Sequence, residues 1–314
     1  MFMNNLFNSE EKKKYAVFDI SFIIYNCSFA FCQKCDCGTG CDKCDGGKIF
    51  LKHNGEISGG LFGLFRQLFD RQEEGYSPIF VFDPPKQQLD RSQLIDNYKG
   101  NRQEKPEYIK RQMAISKELF SYTNVECFSS DVDESDDVIS TIALERADSG
   151  HEVLVITDDK DMFPLLSHEN INLYRQKSVF TKEDFKKKFG FCPSRFSEYL
   201  AIVGDAADNY NIIKGLGPKA ASILINRYDH IRDLWDDWNN LENKYKNKLS
   251  YLNDSNDLIL RKDELELSLK LAELNLKSEY YCLNKDIDYD KVKEMLDNIG
   301  IKSAINRIDR LIKR

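Results

Sequence analysis

Residues 151–161 read HEVLVITDDKD. Four apolar, mostly β-branched residues run straight into Asp158, Asp159 and Asp161. An apolar run this short suits a buried strand better than a helix. The same device occurs twice upstream: YAVFD (15–19) ends on Asp19, and PIFVFD (78–83) ends on Asp83. Helix-period segments fall between and after these runs, at 60–71, 105–122, 135–147 and 181–189. Strands alternating with helices read as an α/β fold with a mostly parallel sheet. Sites in such sheets lie beyond the carboxyl ends of the strands, so the terminal acids are expected to converge.

A second acidic stretch, DVDESDDVIS (131–140), stands before an apolar helical run. Capping and the helix dipole favour acids at a helix start, and Asp131 and Asp133 are expected to cap and solvate that turn. Asp205 and Asp208 stand in AIVGDAADNYNIIKGLGPKAA (201–221), which reads as helix, acidic turn, glycine hairpin and helix. Many carboxylates in one place repel unless cations hold them. Hard oxygen ligands suit magnesium or manganese, and two such ions can support in-line hydrolysis of a phosphodiester. The four histidines belong to no motif.

The chain has 314 residues, 41% hydrophobic and 31% charged, with a formal net charge of −7. This length accommodates one large domain, or a main domain with a smaller partner. No apolar run approaches the roughly 20 residues of a membrane span, and the first residues lack a signal-peptide pattern. An intracellular protein without a membrane partner is expected. Net negative charge by itself argues against a nucleic-acid partner, unless many acids ligate metal and the basic groups are concentrated locally. The segment 86–117 is polar, carries both signs of charge and is broken by Gly100 and Pro106. It reads as a solvated loop or as a mobile clamp over the site.

Six blocks occur in one order: VFDIS with Asp19, VFD with Asp83, YKGNR (98–102), ESDDV (134–138), TDDKDMFPLL (157–166) and the 201–221 block. Together they resemble the 5′ nuclease family, which includes phage and bacterial 5′–3′ exonucleases, flap endonucleases and the 5′ nuclease domain of DNA polymerase I. The resemblance spans roughly residues 15–228. It implies a PIN-like α/β core over residues 1–195, with an arch at 86–117, then a helix-hairpin-helix and C-terminal helical region over 196–314. It implies that Asp19, Asp83, Glu134, Asp136 and Asp137 surround a first Mg²⁺ or Mn²⁺. Asp159, Asp161, Asp205 and Asp208 would complete that site and build the second. Asp158 occupies the motif's variable position. Lys99 and Arg102 would act on the scissile phosphate, and Tyr98 would stack on a base. Lys105, Lys110 and Arg111 would line the path of a single strand. Gly215, Gly217 and Lys219 would hold duplex DNA, with K⁺ at the hairpin carbonyls.

Nine cysteines are present, six of them before residue 50. In CQKCDCGTGCDKC (32–44), Cys32-x2-Cys35 and Cys41-x2-Cys44 have the spacing of a tetrahedral zinc site. A reduced cysteine-rich loop is the alternative. The insertion departs from the family pattern, so its role stays open between a structural pin and an added contact.

These readings lead to a metal-dependent 5′–3′ exonuclease and flap endonuclease. Its partner would be DNA with a 5′ end or a 5′ single-strand flap, RNA primers being a further substrate. The resemblance implies a monomer working in replication, in the cytoplasm of a bacterium or of a phage-infected host. Two rivals are an RNase H-like 5′ nuclease on RNA/DNA hybrids and a non-catalytic junction-binding protein. A third, resting on the cysteine insertion alone, is a zinc-dependent interaction protein with a vestigial nuclease fold.

Overall fold

In the three acid-ended runs, residues of odd and even number face opposite sides of the sheet, as strand geometry requires. Tyr15, Val17, Ile79, Val81, Val153 and Val155 enter one apolar layer, while Ala16, Phe18, Phe80, Phe82, Leu154 and Ile156 enter the other. The computed structural model describes residues 11–30, 32–34, 48–50, 52–53, 56–84, 94–95, 99, 104–210, 213–252 and 255–312.

The central sheet contains β1 (Lys14–Asp19), β2 (Ser77–Val81), β3 (Glu126–Ser129), β4 (Glu152–Ile156), β5 (Ile171–Arg175), β6 (Ser178–Phe180) and β7 (Tyr281–Cys282). Their order across the sheet is β6-β5-β4-β1-β2-β3-β7. The five inner strands are parallel and the two edge strands antiparallel. Successive connections run outward from β1 through β2 to β3, then return to β4 on the other side of β1. That reversal is a topological switch point, where a crevice opens at the carboxyl ends of the strands.

Helices α1 (Ile20–Ala30), α2 (Gly59–Glu73) and α3 (Glu107–Ser121) cover one face, and α4 (Ser135–Asp148) covers the other. Then follow α5 (Lys182–Phe189), α6 (Phe196–Val203), α7 (Pro218–Arg227), α8 (Asn243–Leu249), α9 (Lys262–Ala272) and α10 (Tyr289–Ile299), with two short turns to residue 312. Ser58 offers α2 no side-chain cap. Instead Oε1 of buried Gln112, on α3, accepts from the backbone N–H groups of Gly60 (2.8 Å) and Leu61 (3.2 Å).

Two expectations are corrected. The clamp segment does not extend to residue 117, because from Glu107 the chain is α3, with Ile109, Leu119 and Phe120 buried in the core. The region after Asp229 is not peripheral, and its last part returns to the first unit. Leu265 and Leu269 of α9 are buried. β7 extends the first unit's sheet, and Val292, Leu296, Ile301, Ile308 and Leu311 fill the layer around α1–α3.

Candidate active site

Asp19 ends β1 opposite Val81, and Asp83 lies two residues beyond Val81. The strand period therefore puts both acids on the α4 side of the sheet. Asp19 is buried; its Oδ1 accepts from Phe22 N (3.0 Å) and its Oδ2 from the Thr157 hydroxyl (3.3 Å). Burial and the neighbouring charges of Asp83 and Asp159 push it up to about 7. Asp83 accepts from Ser21 (2.6 Å), Ser135 (2.8 Å) and the Lys105 ammonium (2.7 Å). Burial would raise its pKa, but Lys105 and the two hydroxyls outweigh burial and hold it below the usual carboxylate value.

Helix α4 starts at this point, with Glu134 as its N-cap residue and Asp136 and Asp137 in its first turn. Lys99 donates to both Glu134 oxygens (2.6 and 2.7 Å) and stands 3.8 Å from Asp208 Oδ2. Burial, then the charges of Asp159 and Asp19, raise Asp136 well above its ordinary value. Asp137 lies one residue and about 100° further round the helix. Its Oδ1 accepts from Asn275 N at 2.8 Å, tying α4 to the segment after α9. One Asp137 oxygen is thus engaged, as are oxygens of Asp19, Asp83 and Glu134. Asp133 neither caps nor solvates the turn: it is buried and accepts from Ser278 Oγ (2.6 Å) and Asn275 Nδ2 (3.2 Å).

Past β4 the chain turns into a 3₁₀ stretch, Lys160–Ser167, whose N-cap residue Asp159 accepts from Asp161 N at 2.9 Å. Asp158 points away, accepting from Gln176 N in the β5–β6 turn. Asp205 and Asp208 belong to a loop closed by two backbone hydrogen bonds between Asp205 and Tyr210 (2.8 and 3.0 Å). Gly204 enters that loop at φ +82°, ψ 170°, a conformation open to glycine but not to other residues. Ala207 N donates to Asp205 Oδ1 (2.9 Å), and Asn209 takes the left-handed conformation that asparagine tolerates. The loop also holds the foot of the clamp, through Lys99 N donating to Asp208 O at 3.1 Å.

One oxygen each from Asp161, Asp205 and Asp208 lies within 4.8 Å of the others. Asp161 Oδ1 is buried and, among the described residues, has no hydrogen-bond partner. Burial and the charges of Asp159, Asp205 and Asp208 raise its pKa well above the ordinary value. An orphaned carboxylate oxygen among hard donors fits a divalent cation.

Lys160, which the sequence reading passed over, stands 2.9 Å from Asp205 Oδ1. Its place inside TDDKD was the available signal. Ser21 and Ser135, which adjoin motif acids, were also missed. Lys105 reaches the site, but Lys110 pairs with Glu104 and Glu107, and Arg111 lines an apolar recess with Ile115 and Met295. Lys110 and Arg111 stand on the first turns of α3. Gly215, Gly217 and Lys219 are exposed at the turn leading into α7. Tyr98, Arg102, Cys35, Cys41 and Cys44 lie outside the described residues, as does the side chain of Cys32. Among the described residues, no helix is long and apolar enough to cross a membrane.

Carboxylates gathered at the switch point, with the Lys99 ammonium against Glu134 and near Asp208, are the equipment of a metal-dependent nuclease. Residues 46–190 match the family described as 5′-3′ exonuclease, N-terminal resolvase-like domain, and residues 191–295 match 5′-3′ exonuclease, C-terminal SAM fold. A 5′-3′ exonuclease of Buchnera aphidicola (Acyrthosiphon pisum) is 30% identical over 74% of this chain and 82% of its own length. One from Aquifex aeolicus is 28% identical over 81% and 86%. In a complex with DNA and metal ions, the bacteriophage T5 flap endonuclease shares the fold at a TM-score of 0.62, with 16% identity over 95% of this chain and 97% of that one. The chain belongs to the 5′-3′ exonuclease family.

Proposed function

We propose that the protein is a divalent-metal-dependent 5′–3′ exonuclease and flap endonuclease, cutting DNA at 5′ ends and single-strand/duplex junctions during primer or flap removal. RNA primers are included as substrates, and the protein acts as a monomer. The observation that carries this reading is the convergence of Asp161, Asp205 and Asp208, with an unpartnered oxygen on Asp161 and the Lys99 ammonium 3.8 Å from Asp208 Oδ2.

Asp161, Asp205, Asp208 and Asp159 would hold one Mg²⁺ or Mn²⁺, and Asp19, Asp83, Glu134, Asp136 and Asp137 the other. Bound there, the ions supply an activated water and neutralise charge at the phosphate. Lys99 donates to a non-bridging oxygen of the scissile phosphate and stabilises the charge that builds there. Arg102 supports it, and Tyr98 stacks on the terminal base. Lys105 fixes Asp83, while Ser21 and Ser135 orient that carboxylate. Gly215, Gly217 and Lys219 hold a phosphate of the duplex, with K⁺ at the turn. Cys32, Cys35, Cys41 and Cys44 form a structural zinc site, to be checked by metal analysis of protein purified without chelator. The zinc segment lies before the family match, which begins at residue 46.

The test uses 5′-labelled flap, nicked and single-stranded DNA with Mg²⁺, Mn²⁺ or chelator. Cleavage with either ion, leaving 5′-phosphate products and lost in chelator and in Asp205→Ala, is expected. No cleavage of any substrate under any condition would end the proposal.

A further inference from the structure

The hairpin's glycine turn is crossed by a side chain from far along the sequence. A Cβ at Gly215 would stand 3.0 Å from Cδ, 3.1 Å from Cε and 3.2 Å from Nζ of Lys248. Gly215 has φ +91°, so the turn needs glycine for its backbone as well as for this close approach. Lys248 is on the last turn of α8, which buried Tyr245 and Leu249 anchor to the core. Its stem lies over the bare Cα of the turn, and its ammonium ends beside it. Lys214 precedes the same glycine, and Lys219 opens α7. Leu216 is buried and pins the turn, while Lys214, Gly215, Gly217, Lys219 and Lys248 are exposed.

Among the described residues, none of these three ammonium groups has a hydrogen-bond or ion-pair partner. Their neighbours on α8 are occupied: Lys244 pairs with Glu242, and Lys246 donates to Asn239 O. In a chain of net charge −7, three unneutralised cations around one exposed turn make a local anion-directed surface. Phosphates along a duplex backbone present anions at the spacing of neighbouring contacts and are held by lysine as a point charge.

We propose that Lys248 is a duplex-phosphate ligand. With Lys214 and Lys219 it forms a three-cation clamp, so the region after Asp229 takes part in substrate binding. This rests on the reading of the 215–219 hairpin as a duplex contact.

The test measures flap cleavage by the full chain from 50 to 200 mM salt. Lys248→Met keeps the apolar stem and removes the charge. It is expected to raise KM roughly 3- to 10-fold with kcat changed less than twofold. It should also flatten the slope of log(kcat/KM) against log[salt] by about 0.9, the increment for one phosphate contact. Lys248→Arg should restore both. Lys219→Met serves as the control for the hairpin. If Lys219→Met flattens the slope and Lys248→Met does not, the hairpin reading stands and this proposal falls. If neither does, both fall. Equal loss in Lys248→Met and Lys248→Arg would assign Lys248 to packing and overturn its role as a phosphate ligand.

Discussion

At the residue scale, the site is a set of acids that the fold forces together. Asp161→Asn keeps the side chain's shape and removes one of the charges that repel Asp159, Asp205 and Asp208. Metal-free, this variant should be more stable than the parent by about 1 kcal/mol, a rise in Tm of about 2–4 °C. Cleavage with Mg²⁺ should fall by two to three orders of magnitude. Calorimetry in chelator and single-turnover assays check the two opposed signs. Asp19 at about 7, with Asp136 and Asp161 also raised well above their ordinary value, gives a pH dependence. A carboxyl raised in the folded state keeps its proton there after the unfolded chain, near pH 4, has lost it. Metal-free stability should therefore fall as pH rises from about 4 through 7. Thermal melts in chelator should show a lower Tm at pH 7.5 than at pH 5.5, and excess Mg²⁺ should reduce that difference. Most of these acids could be read from the sequence, since each follows an apolar run or opens a helix. The contact of Asp137 with Asn275 could not be read, because the two are 138 residues apart.

At the element scale, Gln112 shows how a helix start can borrow its cap. Gln112→Leu would leave the Gly60 and Leu61 N–H groups buried without their acceptor. The expected loss is about 2–6 kcal/mol at 1–3 kcal/mol per orphaned group. Urea denaturation measures it, and kcat on flap DNA well below the transition should stay within twofold. A loss under about 0.5 kcal/mol would mean that water or another group caps α2. The parallel strands and α4 were legible because their apolar periods are clear. α3 was legible as a helix, but its burial was hidden: Lys110, Arg111 and Lys117 made 105–117 look like part of a solvated arch. Ile109, Gln112, Ser116 and Phe120, at helical spacing, form the buried stripe beneath them.

At the scale of the whole molecule, the C-terminal segment belongs to the nuclease core. Asn284 accepts from Cys127 N (2.8 Å) and donates to Val125 O (2.8 Å), and Asn124 N donates to Leu311 O (2.6 Å). Ending the chain at residue 275 would strip β3 of its edge partner and bare the apolar layer around α1–α3. Such a chain should be largely insoluble on expression, whereas a soluble product with a cooperative melt would show that the core closes by itself. Sequence reading had little access to this return, because β7 has two residues and its partner lies some 150 positions earlier. The return also has a consequence in time. A ribosome adding 5–20 residues per second needs on the order of ten seconds to pass from β3 to β7. Throughout that interval the nascent sheet carries an open edge and an uncovered apolar face. The order of its strands thus sets how long that edge and face stay open during synthesis.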